Sequence, residues 1–178
     1  MKKLLYVLLA GMIASCMKPA EMKDTSAAKE GVQRFYDQVI NAHNVAMLDS
    51  FCSPDFTDHN PDPGHSGKGI EDLRAGFKDF FAAFPDIHAT TKFMVAHEDT
   101  VTAYITMTGT NSGAMMGMPA TNKQMNADII DIIVLKNGKA TDRWGIFDGM
   151  KMMKDLGMMG GPPPDAAKMA AAPEEPKK

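Results

Sequence analysis

The sequence predicts an α+β fold, a curved antiparallel sheet wrapped by three to four helices. Three observations predict it. Between Ala27 and Phe84 the apolar residues recur at three- and four-residue spacing, the period of a helix with one buried face. Between Ile87 and Phe147 they alternate instead, the period of half-buried strands. The chain has 178 residues, 44% hydrophobic and 23% charged, which supports one domain with a real core but not two. Helices first and strands afterwards is the α+β order. A curved sheet closed by its helices leaves a cavity at its open end, the usual place for a small ligand.

The elements follow in order. Val32, Phe35, Tyr36, Val39 and Ile40 define a first helix from Ala27 to Asn41, and Val45 to Phe51 is a short second one ended by Ser53-Pro54. Thr57 to Gly69, rich in Asp, Asn, Pro and Gly, reads as a loop. Leu73, Phe77, Phe80, Phe81 and Phe84 share a face of a third helix, Ile70 to Phe84, with Pro85 as its stop. Strands are expected over Ile87–His97, Val101–Thr108, Gln124–Leu135 and Ala140–Phe147. A tight turn at Glu98-Asp99, a Gly- and Met-rich connection from Asn111 to Asn122, and an Asn137-Gly138 hairpin join them. Gly149 to Leu156 reads as a last short helix, and the Pro-, Ala- and Lys-rich stretch 158–178 as a disordered tail.

The N-terminus is expected to direct export. Lys2 and Lys3 precede an apolar run from Leu4 to Ile13 that is too short to span a bilayer. Ile13-Ala14-Ser15-Cys16 resembles the lipobox of bacterial lipoproteins, which implies a lipid on Cys16, a tether over 16–26 and a place in the cell envelope. Cys52 is then left without a disulfide partner, and a buried, inert thiol is expected there. The formal charge is −3, and −5 once Lys2 and Lys3 leave with a signal. With no basic stripe, that acidity argues against nucleic acid as a partner. No phosphate-cradling glycine motif is present, so no nucleotide cofactor is implied.

Several stretches share an order and spacing: Phe56-Thr57-Asp58-His59-Asn60-Pro61, Phe84-Pro85-Asp86, Thr108-Gly109-Thr110-Asn111-Ser112-Gly113, Met116-Gly117-Met118-Pro119, and Arg143-Trp144-Gly145-Ile146-Phe147-Asp148. From about Ala27 to Gly157 the chain resembles the SnoaL-like polyketide cyclases (ester cyclases) of the nuclear-transport-factor-2-like superfamily. The resemblance implies a cone-shaped α+β barrel, a small apolar ligand in its cavity, and often a homodimer through the open face of the sheet. It also implies an acid/base aspartate where this chain has Gly145 and a strand histidine where it has Ile130, two departures from the cyclase pattern.

Candidate chemistry therefore rests on other residues. Asp148 closes a strand carrying Trp144 and Phe147, whose apolar walls would raise its pKa into an acid/base range; the alternative is a cap on the following helix. Asp128 shares one strand face with Asn126, Ile130 and Ile132, and faces the cavity if that face is the concave one. His59, with Asn60 beside it in the rim loop, is placed to hydrogen-bond a ligand oxygen or simply to order the loop. Trp144, Tyr36, Phe81 and Phe147 would line the cavity or fill the core. Asp58, His59, Asp62 and His65 look like metal ligands, but their spacing fits no zinc or calcium pattern, and no metal is expected. The 17 methionines suit a core better than copper. Two functions remain: acid/base chemistry on a small apolar carbonyl compound, or noncatalytic binding of a ligand or partner at the envelope.

Overall fold

The computed structural model describes residues 24–159. Cys16, the signal, most of the tether and nearly all of the tail lie outside the described residues. Helix α1 spans Ser26–Phe35 and runs directly into a π-helical turn, Tyr36–Ile40. That turn places Tyr36, Val39 and Ile40 together in the core, each no more than 1% exposed; such turns recur at functional sites. A single 3₁₀ turn (Val45–Met47) leads into α2 (Leu48–Phe51).

A strand then appears where the sequence suggested only a helix end and a loop. β1, Cys52–Asp58, pairs in parallel with β5 at the edge of the sheet. Pro54 and two aspartates hide the strand pattern, but proline is tolerated on an edge strand, where a backbone N–H need not be donated. Helix α3 covers Ile70–Ala83. The antiparallel strands are β2 (His88–His97), β3 (Thr100–Thr110), β4 (Gln124–Lys136) and β5 (Lys139–Phe147), and the sheet order is β1-β5-β4-β3-β2. β4 and β5 meet through Asn137 (φ 52°) and Gly138 (φ 77°), both left-handed as a two-residue hairpin of matching twist requires. Helix α4, Gly149–Asp155, closes the described chain.

Two asparagines stand in for missing backbone partners. The Asn41 side chain accepts from the Ala89 backbone N–H at 2.7 Å and donates to the Ala89 carbonyl at 3.1 Å, extending the edge of β2. Asn111, fully buried, accepts from Thr121 N and donates to the Gly113 carbonyl, both at 2.9 Å, and so folds the Gly-Met connection. The core lies between α1, the π-turn, α3 and one face of the sheet. This is the expected mixed α+β cone: a curved five-stranded sheet with four helices.

Candidate functional site

The concave face of the sheet and the helices line an open cavity of about 1300 Å³. Its wall is apolar: Phe77 and Phe80 from α3, Ile129 from β4, and seven methionines, among them Met107, Met125 and Met152. Unbranched methionine adapts to irregular shapes, so this wall suits an apolar body of no single outline.

At one end the wall gives way to four interlocked polar side chains. On β4 and β5, Asp131 faces Gly145 across the ladder. Arg143 donates from Nε to Asp131 Oδ1 at 2.9 Å and from Nη1 to Asp58 Oδ2 at 2.7 Å, and its Nη2 is ion-paired with Asp131 Oδ1 at 2.8 Å. The Tyr36 hydroxyl donates to Asp131 Oδ2 at 2.7 Å. Burial, together with the Asp131 charge and hydrogen bond, pushes the Tyr36 pKa well above its usual value, so it remains a neutral donor. For Arg143, burial alone works against its charge, but Asp131 and Asp58 outweigh it and hold the guanidinium protonated. The two carboxylates, 8% and 4% exposed, remain charged there because the guanidinium pairs with both.

Gly145 makes the arrangement possible. A β-carbon there would sit 2.3 Å from Arg143 Nη2 and 2.6 Å from Cζ. The guanidinium lies in the space that any other residue at this position would fill.

The loop after β1 brings the remaining polar groups. It returns tightly on itself: Asp58 N donates to the Gly67 carbonyl, and Ser66 N and Gly67 N donate to the Asp72 carboxylate in the first turn of α3. Asn60 lines the cavity and donates its backbone N–H to Asp58 Oδ1 at 2.9 Å. Asp62 also lines the cavity. Its side chain is exposed on the loop, yet the protein packed beside it raises its pKa by desolvation, with Arg143 opposing the rise and Asp58 adding to it. Among the described residues its carboxyl has no hydrogen-bond partner. It is a cavity carboxyl left available for chemistry.

The expected residues divide sharply. Tyr36, Asn60 and Phe147 line the cavity. Asp128 does not. It lies exposed on the convex face, accepting from Tyr104 Oη (2.8 Å) and Thr106 Oγ1 (2.7 Å), because Asp131, Ile129 and Ile133 take the concave side of β4. Trp144 is likewise convex, paired with Ile132 across the ladder, and His59 stacks on it with centroids 4.1 Å apart and planes 1° from parallel. His59 Nε2 lies 3.0 Å from Asp142 Oδ1, so this histidine orders the outer rim rather than meeting a ligand. Asp148 accepts from Lys151 N at 2.9 Å, the capping role. Phe81 points away from the cavity toward His43 and Phe77, about 100° around α3 from Phe80. Ile130, at the family's histidine position, faces outward. Cys52 is buried, which pushes its thiol up to about 12. Among the described residues no group of three or more potential ligands is gathered for a metal.

Asp131, Arg143 and Asp62 were missed. Asp131 was visible only as the alternate face of β4, and Asp62 only as one carboxylate in a polar loop.

A family model for the SnoaL-like polyketide cyclases matches residues 30–156. The chain belongs to the SnoaL-like polyketide cyclase family. Its solved relatives agree in fold. A candidate polyketide cyclase from Acidithiobacillus ferrooxidans is 26% identical, with a TM-score of 0.66, over 77% of this chain and 99% of its own. A second, from Bacillus cereus, is 25% identical with a TM-score of 0.66, over 78% and 85%. TsrD from Streptomyces laurentii superposes with a TM-score of 0.69 at 24% identity, over 76% and 98%. No curated protein is significantly similar to the chain. At Gly145, where the resemblance implies an aspartate, an arginine side chain from two residues earlier occupies the space instead. Family membership makes it a small-molecule pocket protein of cyclase or isomerase type.

Proposed function

We propose that this SnoaL-like protein binds a small, largely apolar carbonyl compound in its cone and moves a proton on it without a cofactor, with Asp62 as acid and base. One observation carries the reading: a carboxyl with a raised pKa and no hydrogen-bond partner among the described residues opens onto an apolar cavity. Raising a carboxyl toward neutral pH makes it competent both to take and to return a proton. As base, Asp62 takes a proton from the carbon beside the carbonyl, and the C–H electron pair moves into an enolate. As acid it returns that proton to the same or another carbon, which is the core step of an isomerase or an aldol-type cyclase.

The test needs no known substrate. Exchange of solvent deuterium into the methyl group of acetophenone, followed by NMR, reads the proton step directly. The protein is expected to accelerate it. Asp62→Asn is expected to lower that acceleration on the order of a hundredfold, the low end for a general base. Asp148→Asn, off the cavity, is expected to leave it unchanged. An Asp62→Asn protein as active as the parent ends the assignment. Gly145, lacking the family's carboxylate, favours a second reading, a noncatalytic binder, which predicts ligand binding with no exchange above buffer.

Two further proposals concern where the protein works. The order of cationic, apolar and small residues before Cys16 supports export and lipid anchoring at the cell envelope; palmitate labelling lost in Cys16→Ser would support it, and labelling that survives would refute it. The convex face supports a homodimer. Phe93, Tyr104, Ile130 and Ile146 form one cross-strand row, and Val95, Thr102, Ile132 and Trp144 the next. Phe93 and Ile146 are 57% and 58% exposed, an apolar surface that a second copy of the chain would cover.

A further inference from the structure

We infer that Arg143, seated on Gly145, is the group that grips the ligand's oxygen, and that this oxygen belongs to a neutral carbonyl rather than to a carboxylate or phosphate. The inference rests on the reading that the cavity takes a carbonyl compound, and it names what recognises that group.

A guanidinium carries five N–H donors. Asp131 accepts from Nε and holds Nη2 in an ion pair at the same oxygen, and Asp58 accepts from Nη1. The remaining two, one on each Nη, have no acceptor among the described residues, and the side chain's uncovered surface opens into the cavity. The two aspartates and the absent β-carbon of Gly145 hold the planar fork in one orientation, so little freedom remains to be lost when a ligand arrives. An acceptor is what those two N–H groups lack.

Charge decides which acceptor. One arginine stands against Asp58 and Asp131, with Asp62 also on the cavity wall, so the polar end is anionic on balance. An incoming carboxylate or phosphate meets that repulsion at close range. A ketone, ester or lactone oxygen takes the same hydrogen bonds without it. When Asp62 removes a proton from the neighbouring carbon, the charge growing on that oxygen falls on Arg143. Arg143 is thereby a catalytic residue, and Gly145 a positioning residue.

Benzophenone, diphenylmethane and diphenylacetate separate these ideas by calorimetry, because benzophenone has no proton to lose and reports binding alone. The parent protein is expected to bind benzophenone about tenfold or more tightly than either of the others, the effect of a hydrogen bond to a charged donor. The infrared C=O stretch of bound benzophenone is expected to shift to lower frequency. Gly145→Ala, which displaces the guanidinium, is expected to abolish both the preference and the shift while diphenylmethane binds as before. The inference is overturned if the parent binds ketone and hydrocarbon equally, if diphenylacetate binds best, or if Gly145→Ala weakens ketone and hydrocarbon alike. If diphenylmethane binds without any ketone preference, this inference alone fails. If no probe binds, the cavity reading under Proposed function fails and takes this one with it.

Discussion

The two faces of β4 and β5 are built from the same residue types and do opposite work. On the concave side Arg143 pairs with Asp131 and, across the sheet edge, with Asp58, in the space that Gly145 leaves open. On the convex side, one residue along, Ile130, Ile146 and Trp144 make an exposed apolar surface, with Asp128 bound to Tyr104 and Thr106 at its edge. Alternation puts one buried ion-pair network among the apolar residues of the inner face and an exposed apolar row on the outer one. A charged residue can be buried when it is paired, and an exposed apolar row is the kind of surface the homodimer proposed above would cover.

The largest test of that contrast is Arg143→Met. It leaves Asp58 and Asp131 buried without their cation, and a stability loss of about 3–5 kcal/mol is expected by urea denaturation. Asp128→Ala on the convex face should barely move the same transition. Equally mild effects from the two variants would show that the concave network does not hold the fold.

Tyr36→Phe removes the donor to Asp131 Oδ2 and keeps the ring. A loss of about 1–3 kcal/mol is expected, measured by thermal or urea unfolding. Next, Ile130→Lys with Ile146→Lys should convert a dimer to a monomer by light scattering, while each fold-stability change stays within roughly 0.5 kcal/mol. A pair of lysines that leaves the mass unchanged would remove the convex face as the interface.

Asp62→Asn gives the smallest and most diagnostic shift. Because folding raises the Asp62 pKa, the folded state holds its proton more tightly than the unfolded state does. Its contribution is then fully favourable below the ordinary value of 3.8 and is lost as pH rises through the higher folded value. The parent should lose stability across that window, and Asp62→Asn should flatten the loss and melt higher at neutral pH. A steeper dependence in the variant would mean the carboxylate is stabilising and the raised pKa is wrong.

Much of the fold was legible in the sequence. Helical spacing through Val32, Tyr36 and Ile40, phenylalanines along α3, and alternation through β3 are strong local patterns, and Asn137-Gly138 names its own turn. β1 was not legible, because Ser53, Pro54 and Asp55 are poor strand formers held there by pairing with β5. The site was mostly illegible. Asp131 differs from Asp128 by three residues, an odd number, and so by a face.

The sequence by itself determined the order of elements, the turns between them and the family pattern, since these depend on neighbours a few residues apart. Which side of β4 and β5 became the inside was decided only in three dimensions. Both sides carry isoleucine and aspartate, so a period of two reads the same from either face. Packing of the π-turn and α3 against one side breaks that tie, and Tyr36 reaching Asp131 across 95 residues of chain marks the side that was chosen.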